Sequence, residues 1–511
     1  MNEMKVGIIG AGLAGMTAGS YLALHGHNVT IYEQYHMIGG VAGLAEQDGY
    51  KWEIGPLLLG GFGPRETGTI VLTELGLQDQ MEFILEDRGL EFPDFKLWKP
   101  KEFQGRYWRR EKLKELFPEE SEGIDAYYEF YTGMIDLINM NRDLELKKGL
   151  GKQFFKLRMG LKFSKYKKFV DWNAAQLLDL FFKDEKIKAL FTGILADFVT
   201  KPIEFPALGI PQINIESAFD KRILTEALGM LGEPTFHYIR GGAFKIIQEM
   251  EKLILNNGGK IKTETKAERI LIEKGVAKGV QLSDGSIENM DVILSSGSIP
   301  DIFNDVIGRE NIPESLKEQI DGLRYMESCF FVHLGINFNP LQSQPNQLCY
   351  YYETYDIEES IERCRRGIYH KGKDGFLIYI PSIHSPSMAP EGKYAVTIYT
   401  ICPDRLKEGT WEEMKDHYAD LLIKEAEKKI PGLYEGIETR VVMTPADFRK
   451  RINTKRHSFG GLAPIMGQVG PSHKTPIQNL WYIGAYSESG GGISGTMWGT
   501  RTAVKQILKE I

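Results

Sequence analysis

Three glycines near the beginning of the chain have a spacing that suits phosphate binding. Gly10, Gly12 and Gly15 form a GxGxxG pattern, and Glu33 follows them. Glycine at the second position lets the backbone approach a pyrophosphate, and the N–H groups of a following helix bind its charge. The Glu33 carboxylate would accept hydrogen bonds from ribose hydroxyls and would repel a 2′-phosphate. The pattern therefore predicts a dinucleotide site that disfavours NADP.

A second glycine-rich segment, residues 484–495, follows an apolar stretch far along the chain. It includes Gly484, Ala485, Gly492 and Ile493, and a helical pattern begins at about residue 496. A flexible linker is the alternative interpretation, although apolar segments flank the loop on both sides. The arrangement predicts a second anion-binding backbone at a helix N-terminus.

Each glycine segment needs a strand before it and a helix after it. Residues 5–9 are mostly apolar, and residues 16–25 form a helical pattern with small side chains. Further strands are predicted at 28–32, just before Glu33, and at 479–483. Strand, glycine turn and helix in this order are typical of an α/β fold of the Rossmann type.

The composition is that of a globular protein with a large core. The chain has 511 residues, 42% of them hydrophobic, and a formal net charge of -7, which fits two or three domains and does not indicate nucleic-acid binding. Its four cysteines form no CxxC pair, so we expect no metal site, no disulfide framework and a reducing compartment. No apolar run approaches the roughly 20 residues of a membrane span, and no signal peptide precedes the first strand. We expect a cytoplasmic protein, with peripheral attachment to the inner face of the membrane as a further hypothesis.

One stretch has a charge opposite to that of the whole chain. Residues 147–168 contain nine Lys or Arg residues and no acidic residue. Phe155, Met159, Phe163, Tyr166 and Val170 recur at helical spacing, which predicts one apolar face surrounded by basic side chains. Such a helix can lie in a membrane interface, so residues 147–170 are a candidate membrane surface. The alternative is a stripe that faces the core, and three glycines in the stretch weaken a continuous helix.

The chain resembles a known family over nearly its whole length. The resemblance rests on the two glycine segments, the Gly39-Gly40 pair, the sequence Trp52-Glu53-Ile54-Gly55-Pro56, a hairpin pattern at 258–280, and segments 379–390 and 444–448. These features are similar to the phytoene desaturase, carotenoid isomerase and retinol saturase group of amine-oxidase-like flavoproteins. The resemblance implies FAD as the cofactor, with contacts from Gly10, Gly12, Leu13, Ala14, Gly15, Glu33, Gly39, Gly40, Val41, Pro56, Ala267, Gly484, Ala485, Gly492 and Ile493.

Three departures from the family pattern bear on the chemistry. Val41 stands where an arginine commonly follows the glycine pair, so one phosphate or substrate contact is missing. Ser489 and Ser494 replace prolines, and Glu488 replaces a histidine, in the segment beside the flavin. These changes leave the direction of the reaction open.

The family pattern also divides the chain. The resemblance implies a discontinuous Rossmann-type FAD-binding domain and an interleaved α+β substrate domain with a helical, membrane-facing insertion at about 110–200. The FAD-binding domain is predicted at 1–90, 231–300 and 440–511, and the substrate domain at 91–230 and 301–439.

Few side chains suggest direct catalysis. Arg240 could stabilise a reduced-flavin anion, and Glu488 could transfer a proton, although a structural ion pair is an equal alternative for each. His237, His384 and His457 are isolated, and a lone histidine is more often structural.

The sequence therefore predicts an FAD-dependent oxidoreductase that transfers hydride between flavin and an apolar, polyene or isoprenoid-like lipid, as a desaturase, saturase or isomerase. No second GxGxxG stands in mid-sequence, which indicates that electrons come from or go to an external partner, such as a quinone, another protein or oxygen. A flavin amine or amino-acid oxidase is one alternative. A non-enzymatic prenyl-lipid carrier of related fold is another.

Overall fold

The first sheet of the fold brings the distant glycine segments together. The structure is a computed structural model that describes residues 3–55, 57–144, 147–224 and 232–510. All five strands of this sheet run parallel, and their buried residues are mainly Val, Ile and Leu, as expected of a sheet covered on both faces. In spatial order they are β10 (Lys260–Lys262), β2 (Asn28–Tyr32), β1 (Lys5–Ile9), β14 (Val292–Ser296) and β20 (Leu480–Ile483).

The helices that follow the two glycine segments pack against each other beside this sheet. They are α1 (Leu13–Leu24) and α15 (Ile493–Glu510), and both begin earlier than the sequence pattern predicts. Helix α10 (Phe244–Asn256) packs on the other side of α1. Gly19 permits this arrangement, because a Cβ there would lie 2.7 Å from the Ile31 side chain. The predicted Rossmann-type unit is confirmed.

A three-stranded antiparallel sheet extends the same half of the molecule. Strand β11 (Ala267–Glu273) pairs with β12 (Val276–Leu282), which pairs with β13 (Ile287–Asn289). This is the hairpin predicted from the pattern at 258–280. The backbone N–H of Thr265 donates to the Glu33 carbonyl at 2.8 Å, so the hairpin starts beside the dinucleotide turn.

The second half of the molecule is built on a mixed seven-stranded sheet. Helix α13 (Trp411–Glu427) covers one face of it with Trp411 and a row of small and aliphatic residues. All neighbouring strands are antiparallel except the pair β16 and β7. In spatial order the strands are β19 (Ile437–Met443), β15 (Ser328–Ile336), β18 (Tyr394–Cys402), β17 (Gly375–Tyr379), β16 (Leu348–Tyr352), β7 (Gly89–Phe92) and β8 (Phe95–Leu97).

A helical layer with an aromatic core packs beside this sheet. Its centre is formed by Tyr127, Tyr131, Phe182 and Phe191, all of them buried. The helices of the layer are α3 (Trp108–Leu116), α4 (Ser121–Leu144), α5 (Gly149–Phe163), α6 (Ala174–Phe181), α7 (Glu185–Thr192), α8 (Leu195–Phe198) and α9 (Ile210–Ile213).

The apolar face predicted for residues 147–170 is corrected by the structure. Helix α5 forms despite its glycines, but only Phe163 and Val170 of the predicted row are exposed. Phe155, Met159 and Tyr166 are half-buried, and Met159 and Tyr166 pack on the aromatic core of the helical layer. A different row of apolar side chains faces solvent. We call this row the α5 stripe; its members and their exposed fractions are Leu150 (90%), Phe154 (74%), Leu157 (62%) and Leu161 (67%).

The α/β class with an interleaved α+β unit is confirmed, while the domain limits stay a prediction. The predicted limit at residue 440 falls inside β19, a strand of the seven-stranded sheet. In the described part of the chain, no helix is both long and apolar enough to cross a membrane. The remaining elements are β3 (Leu44–Gln47), β4 (Tyr50–Glu53), β5 (Leu59–Gly60), β6 (Phe83–Leu85), β9 (Phe236–Ile239), α2 (Thr67–Glu74), α11 (Glu314–Asp321), α12 (Ile357–Arg365) and α14 (Pro445–Ile452).

Candidate active site

The first glycine turn leaves an open space in front of helix α1. Gly10 has a φ of +95°, and a Cβ there would lie 2.5 Å from the Ser296 hydroxyl. A Cβ on Gly15 would overlap the Gly10 carbonyl oxygen, whereas a Cβ on Gly12 would meet nothing within 4 Å. The first hydrogen bond within the helix runs from Met16 N to Gly12 O at 2.9 Å. The N–H groups of Leu13 and Ala14 precede this bond, and they remain available for an anion in front of the helix.

Glu33 is held firmly beside this turn. Its Oε2 accepts from the backbone N–H of Ala11 and its Oε1 from that of Tyr35, each at 2.8 Å. Burial raises the pKa of Glu33, and the two backbone hydrogen bonds oppose that rise. Each carboxylate oxygen retains a lone pair, so the group can still accept a bond from a ribose hydroxyl.

The Gly39-Gly40 pair closes the turn from the other side. Gly39 N donates to Ala11 O at 2.8 Å, and a Cβ on Gly40 would lie 3.5 Å from the Cα of Gly12. Both glycines have positive φ, +99° and +56°. Val41 follows them and packs against the Cα of Gly55, where a Cβ would overlap the Val41 carbonyl. Pro56, the next predicted contact, lies outside the described residues.

An arginine that the sequence did not indicate lies at this point. Arg451, on α14, donates from Nε to the Gly40 carbonyl at 2.8 Å across a separation of 411 residues. The guanidinium is buried, burial lowers its pKa, and its Nη2 has no hydrogen-bond partner in the described structure. A buried cation with a free donor fits a site that receives a pyrophosphate. Arg451 is therefore a further candidate for a phosphate contact, beside the position where Val41 lacks one.

The second glycine segment meets the first at the edge of the parallel sheet. Gly484 has a φ of +111°, and a Cβ there would lie 3.7 Å from the Ala14 side chain. Ala485 continues the loop, and Gly492 precedes α15 and accepts from Thr496 N at 3.0 Å. The first helical residue, Ile493, is buried in the core beneath α1. The second glycine loop thus meets the start of α1 at Gly484, while its predicted contacts with the cofactor stay predictions.

Ala267 begins the strand β11, two residues beyond Thr265, whose N–H donates to the Glu33 carbonyl. It is buried against Tyr32 and Ile9. Its position beside the glutamate is compatible with the predicted contact to an adenine ring.

The two predicted catalytic side chains have partners at the surface. Arg240 is about half exposed (47%), pairs with Glu82 at 2.5 Å, and also donates to the carbonyl of His384. Glu488 is exposed and accepts from the backbone N–H of His473 at 2.8 Å. Both contacts are structural ones, so the catalytic roles of Arg240 and Glu488 stay predictions.

The three histidines have different surroundings. His237 is buried, which lowers its pKa to about 4, and its Nδ1 has no partner in the described structure. His384 contacts Glu86 at 2.8 Å, and His457 contacts the Ser328 hydroxyl at 2.6 Å. In the described part of the chain, no group of histidine, cysteine and acidic side chains has the arrangement of a metal site.

Glu53 is a buried acid that sequence reasoning mentioned only as part of a motif. Its Oε2 accepts from the Tyr379 hydroxyl at 2.5 Å, and its Oε1 from Ala243 N at 2.7 Å. Complete burial raises its pKa to about 7. Glu53 ends strand β4, which leads to Gly55, and its bond with Tyr379 connects this strand to β17 of the seven-stranded sheet. Glu53 therefore links the two halves of the molecule.

Glu53→Gln should make the protein less sensitive to alkaline pH. A carboxyl with a raised folded-state pKa stabilises the fold below its unfolded value of 4.5, and this contribution is lost as pH rises through about 7. The amide oxygen can still accept from Ala243 N, the amide NH2 can donate to the Tyr379 hydroxyl oxygen, and the side chain carries no charge. We expect the free energy of unfolding to fall by about 1 to 3 kcal/mol more in the native protein than in the variant between pH 5 and pH 8. Urea unfolding at pH 5 and pH 8 measures the free energy of unfolding of both proteins. An equal change between the two pH values in both proteins would show that Glu53 is already ionised at pH 5.

A cavity of about 60 Å³ lies where the helical layer meets the seven-stranded sheet. Its wall includes Asp197, Tyr350, Tyr352 and Tyr399. Tyr399 and Tyr350 also belong to an apolar cluster that includes Val41 and Leu57, from the FAD-binding half. The aromatic interior is therefore continuous between the glycine pair and the cavity.

Comparison with known proteins agrees with this geometry. The model of the family "Flavin containing amine oxidoreductase" matches residues 13–508. The chain is 25% identical to a prolycopene isomerase of Daucus carota, covering 98% of this chain and 80% of the relative. It is 23% identical to a 4,4'-diapophytoene desaturase (4,4'-diaponeurosporene-forming) of Staphylococcus haemolyticus, covering 99% of both. An oxidoreductase structure from Methanosarcina mazei has the same fold, with a TM-score of 0.62, 17% identity, and coverage of 98% of this chain and 100% of the other.

The open space at Gly12, the fixed Glu33 and the unpartnered Nη2 of Arg451 all suit a flavin dinucleotide. The predictions of FAD as cofactor and of an oxidoreductase are confirmed by the family match over residues 13–508. The chain is an FAD-dependent oxidoreductase that belongs to the flavin containing amine oxidoreductase family.

Proposed function

We propose that this enzyme transfers hydride between FAD and an apolar polyene chain, as a desaturase or isomerase of carotenoid type. The proposal is supported above all by the two relatives whose names specify such reactions. Their alignments cover 98% and 99% of this chain. Bound FAD supplies the hydride chemistry at its flavin ring. An amine or amino-acid oxidase remains the second candidate, since the family model carries that name.

The protein's own residues would orient the chain and exclude water. Phe331 stacks on Tyr399 at 5.0 Å between ring centroids, and Tyr399 stacks on Phe459 at 5.5 Å. These rings belong to the apolar cluster that includes Val41. A surface of stacked rings suits a flat conjugated chain, and it keeps the reacting C–H bond away from water.

Electrons would leave or enter through an external partner such as a quinone. This part of the proposal is supported by the sequence between the two glycine segments, which contains no further GxGxxG pattern for a second dinucleotide.

Attachment to the cytoplasmic, inner face of a membrane is part of the same proposal. The α5 stripe is exposed, and basic side chains lie along the same helix and the segments beside it. An apolar row of this kind enters the acyl boundary while lysines contact anionic head groups. All four cysteines are free thiols, which suits a reducing compartment.

The function is tested by mixing FAD-loaded enzyme with candidate substrates without oxygen. Oxidised enzyme receives 4,4'-diapophytoene, and chemically reduced enzyme receives prolycopene, with putrescine as the amine control. Bleaching of the flavin absorbance together with a longer polyene chromophore would support desaturation. Isomerised prolycopene without net loss of reduced flavin would support isomerisation. Bleaching by putrescine alone would favour the amine oxidase.

A further inference from the structure

A buried arginine near the cavity lacks an anionic partner. Arg88 is only 7% exposed, and no carboxylate of the described residues lies within 4 Å of its guanidinium. Its Nε has no hydrogen-bond partner in the described structure. Isolating a cation from water in this way is costly unless an anion joins it.

Aromatic rings, rather than acids, surround this guanidinium. Its Cζ lies 4.3 Å from the ring centroid of Phe219, 5.6 Å from that of Tyr350 and 5.8 Å from that of Phe236. Tyr350 is also a wall of the cavity described above. Ring faces attract a cation but only partly replace its hydration. Arg88 does not line the cavity itself, but it lies behind the Tyr350 wall, and its Nε has hydrogen-bonding capacity to spare.

The acids nearest in the fold have other partners. Glu216 is 3.3 Å from Arg109 and accepts from the Tyr128 hydroxyl at 2.8 Å. Asp87 pairs with Lys99 at 2.5 Å.

Asp197, a wall of the cavity, accepts from the Tyr399 hydroxyl at 3.3 Å. Burial raises the pKa of Asp197 to about 7, although the Tyr399 hydroxyl and the Arg88 charge oppose the rise, so Asp197 is only partly ionised at neutral pH. Among the described residues, Arg88 therefore lacks a carboxylate within ion-pair distance, and a bound anion would supply one.

We propose that Arg88 binds a carboxylate at one end of an otherwise apolar substrate, so that the enzyme prefers polyene acids to polyene hydrocarbons. This inference rests on the proposed function, because it concerns the end of the same polyene chain. A guanidinium matches a carboxylate with two parallel hydrogen bonds, which a hydrocarbon or an ester cannot form equally well. The aromatic rings around it would hold the chain next to the charged end.

The test compares two probes that differ in one group. cis-Parinaric acid and its methyl ester share a fluorescent polyene chain, and each is titrated against the FAD-loaded enzyme. We expect the acid to bind about tenfold more tightly or better, as a hydrogen-bonded charge pair would give. In Arg88→Met the acid should lose this advantage while the ester binds as before. Arg88→Lys should keep part of the preference.

The control is Arg363→Met, which removes an arginine that already pairs with Asp374 of the cavity wall at 2.8 Å. It should keep the preference for the acid. Flavin content and circular dichroism establish that each variant is folded. If Arg88→Met does not fold, the acid and ester titrations of the native enzyme and of Arg88→Lys still test the role of Arg88. A full preference for the acid in Arg88→Lys would then count against it.

The outcomes separate this inference from the proposed function. Equal binding of acid and ester by the native enzyme, or a preference that survives in Arg88→Met, would overturn the role of Arg88 and leave the polyene function standing. Failure of both probes to bind would count against the polyene function, and the inference would fail with it.

Discussion

Replacing Gly12 with valine is expected to give a folded protein that no longer holds FAD. Gly12 has a φ of -74°, which valine adopts readily, and a Cβ there would meet nothing within 4 Å. The branched side chain would instead occupy the space in front of α1, where the pyrophosphate must approach Leu13 N and Ala14 N. We expect FAD affinity to fall by about a hundredfold or more, as for two lost hydrogen bonds to a charged group.

The measurement combines flavin absorbance of the purified variant, titration with added FAD, and thermal unfolding of the FAD-free protein. Gly15→Val serves as the contrast, because its Cβ would overlap the Gly10 carbonyl and force α1 away from β1. That variant should lose its fold together with the flavin. Gly151→Val, at an exposed glycine with open space around it, should lose neither. Full flavin in Gly12→Val would refute the assignment of this turn.

The contrast between these glycines shows what a sequence pattern can predict. The parallel strands, the glycine turn and the position of Glu33 follow from short-range spacing, and the structure has them at 5–9, 10–15 and 33. Local geometry of this kind depends on neighbours in the chain, so it is encoded where it occurs.

Arg451 and Arg88 could not be found in the same way. Arg451 reaches Gly40 across 411 residues, and Arg88 matters only because Phe219 and Tyr350 fold around it. A charged residue in a sequence is usually a solvated one, so burial must be seen before it becomes informative.

The choice of apolar face on α5 failed for a related reason. Residues 147–170 contain two apolar rows at helical spacing, one with Phe155 and Met159, the other with Phe154 and Leu157. Periodicity detects both rows equally, and it contains no information about which one α4 covers. Tyr166 packs against Phe130 at 5.6 Å between ring centroids, so this part of the first row faces the helical layer, whereas Phe163 and Val170 of the same row are exposed.

Serine at all four positions of the α5 stripe is expected to abolish sedimentation with lipid vesicles. Each exposed side chain would contribute about 1 kcal/mol or more on entering the acyl boundary, so the loss of four should lower the partition coefficient by at least about a hundredfold. These side chains touch no core, and the fold and flavin content should remain unchanged. The control replaces three exposed apolar residues elsewhere, Ile203, Ile287 and Val469, with serine.

Charge reversal separates the electrostatic part of the attachment from the apolar part. Glutamate at Lys156, Arg158 and Lys165 should abolish the preference for anionic over neutral vesicles, whereas the serine variant should lose binding to both. Lys162 is left unchanged, because its ion pair with Asp136 at 2.6 Å joins α5 to α4. If the serine variant keeps its activity on detergent-dispersed polyene but loses it on polyene in vesicles, the stripe delivers substrate from the bilayer. Unchanged sedimentation of that variant would instead mean that the stripe meets another surface, and the polyene would have to reach the cavity from solution.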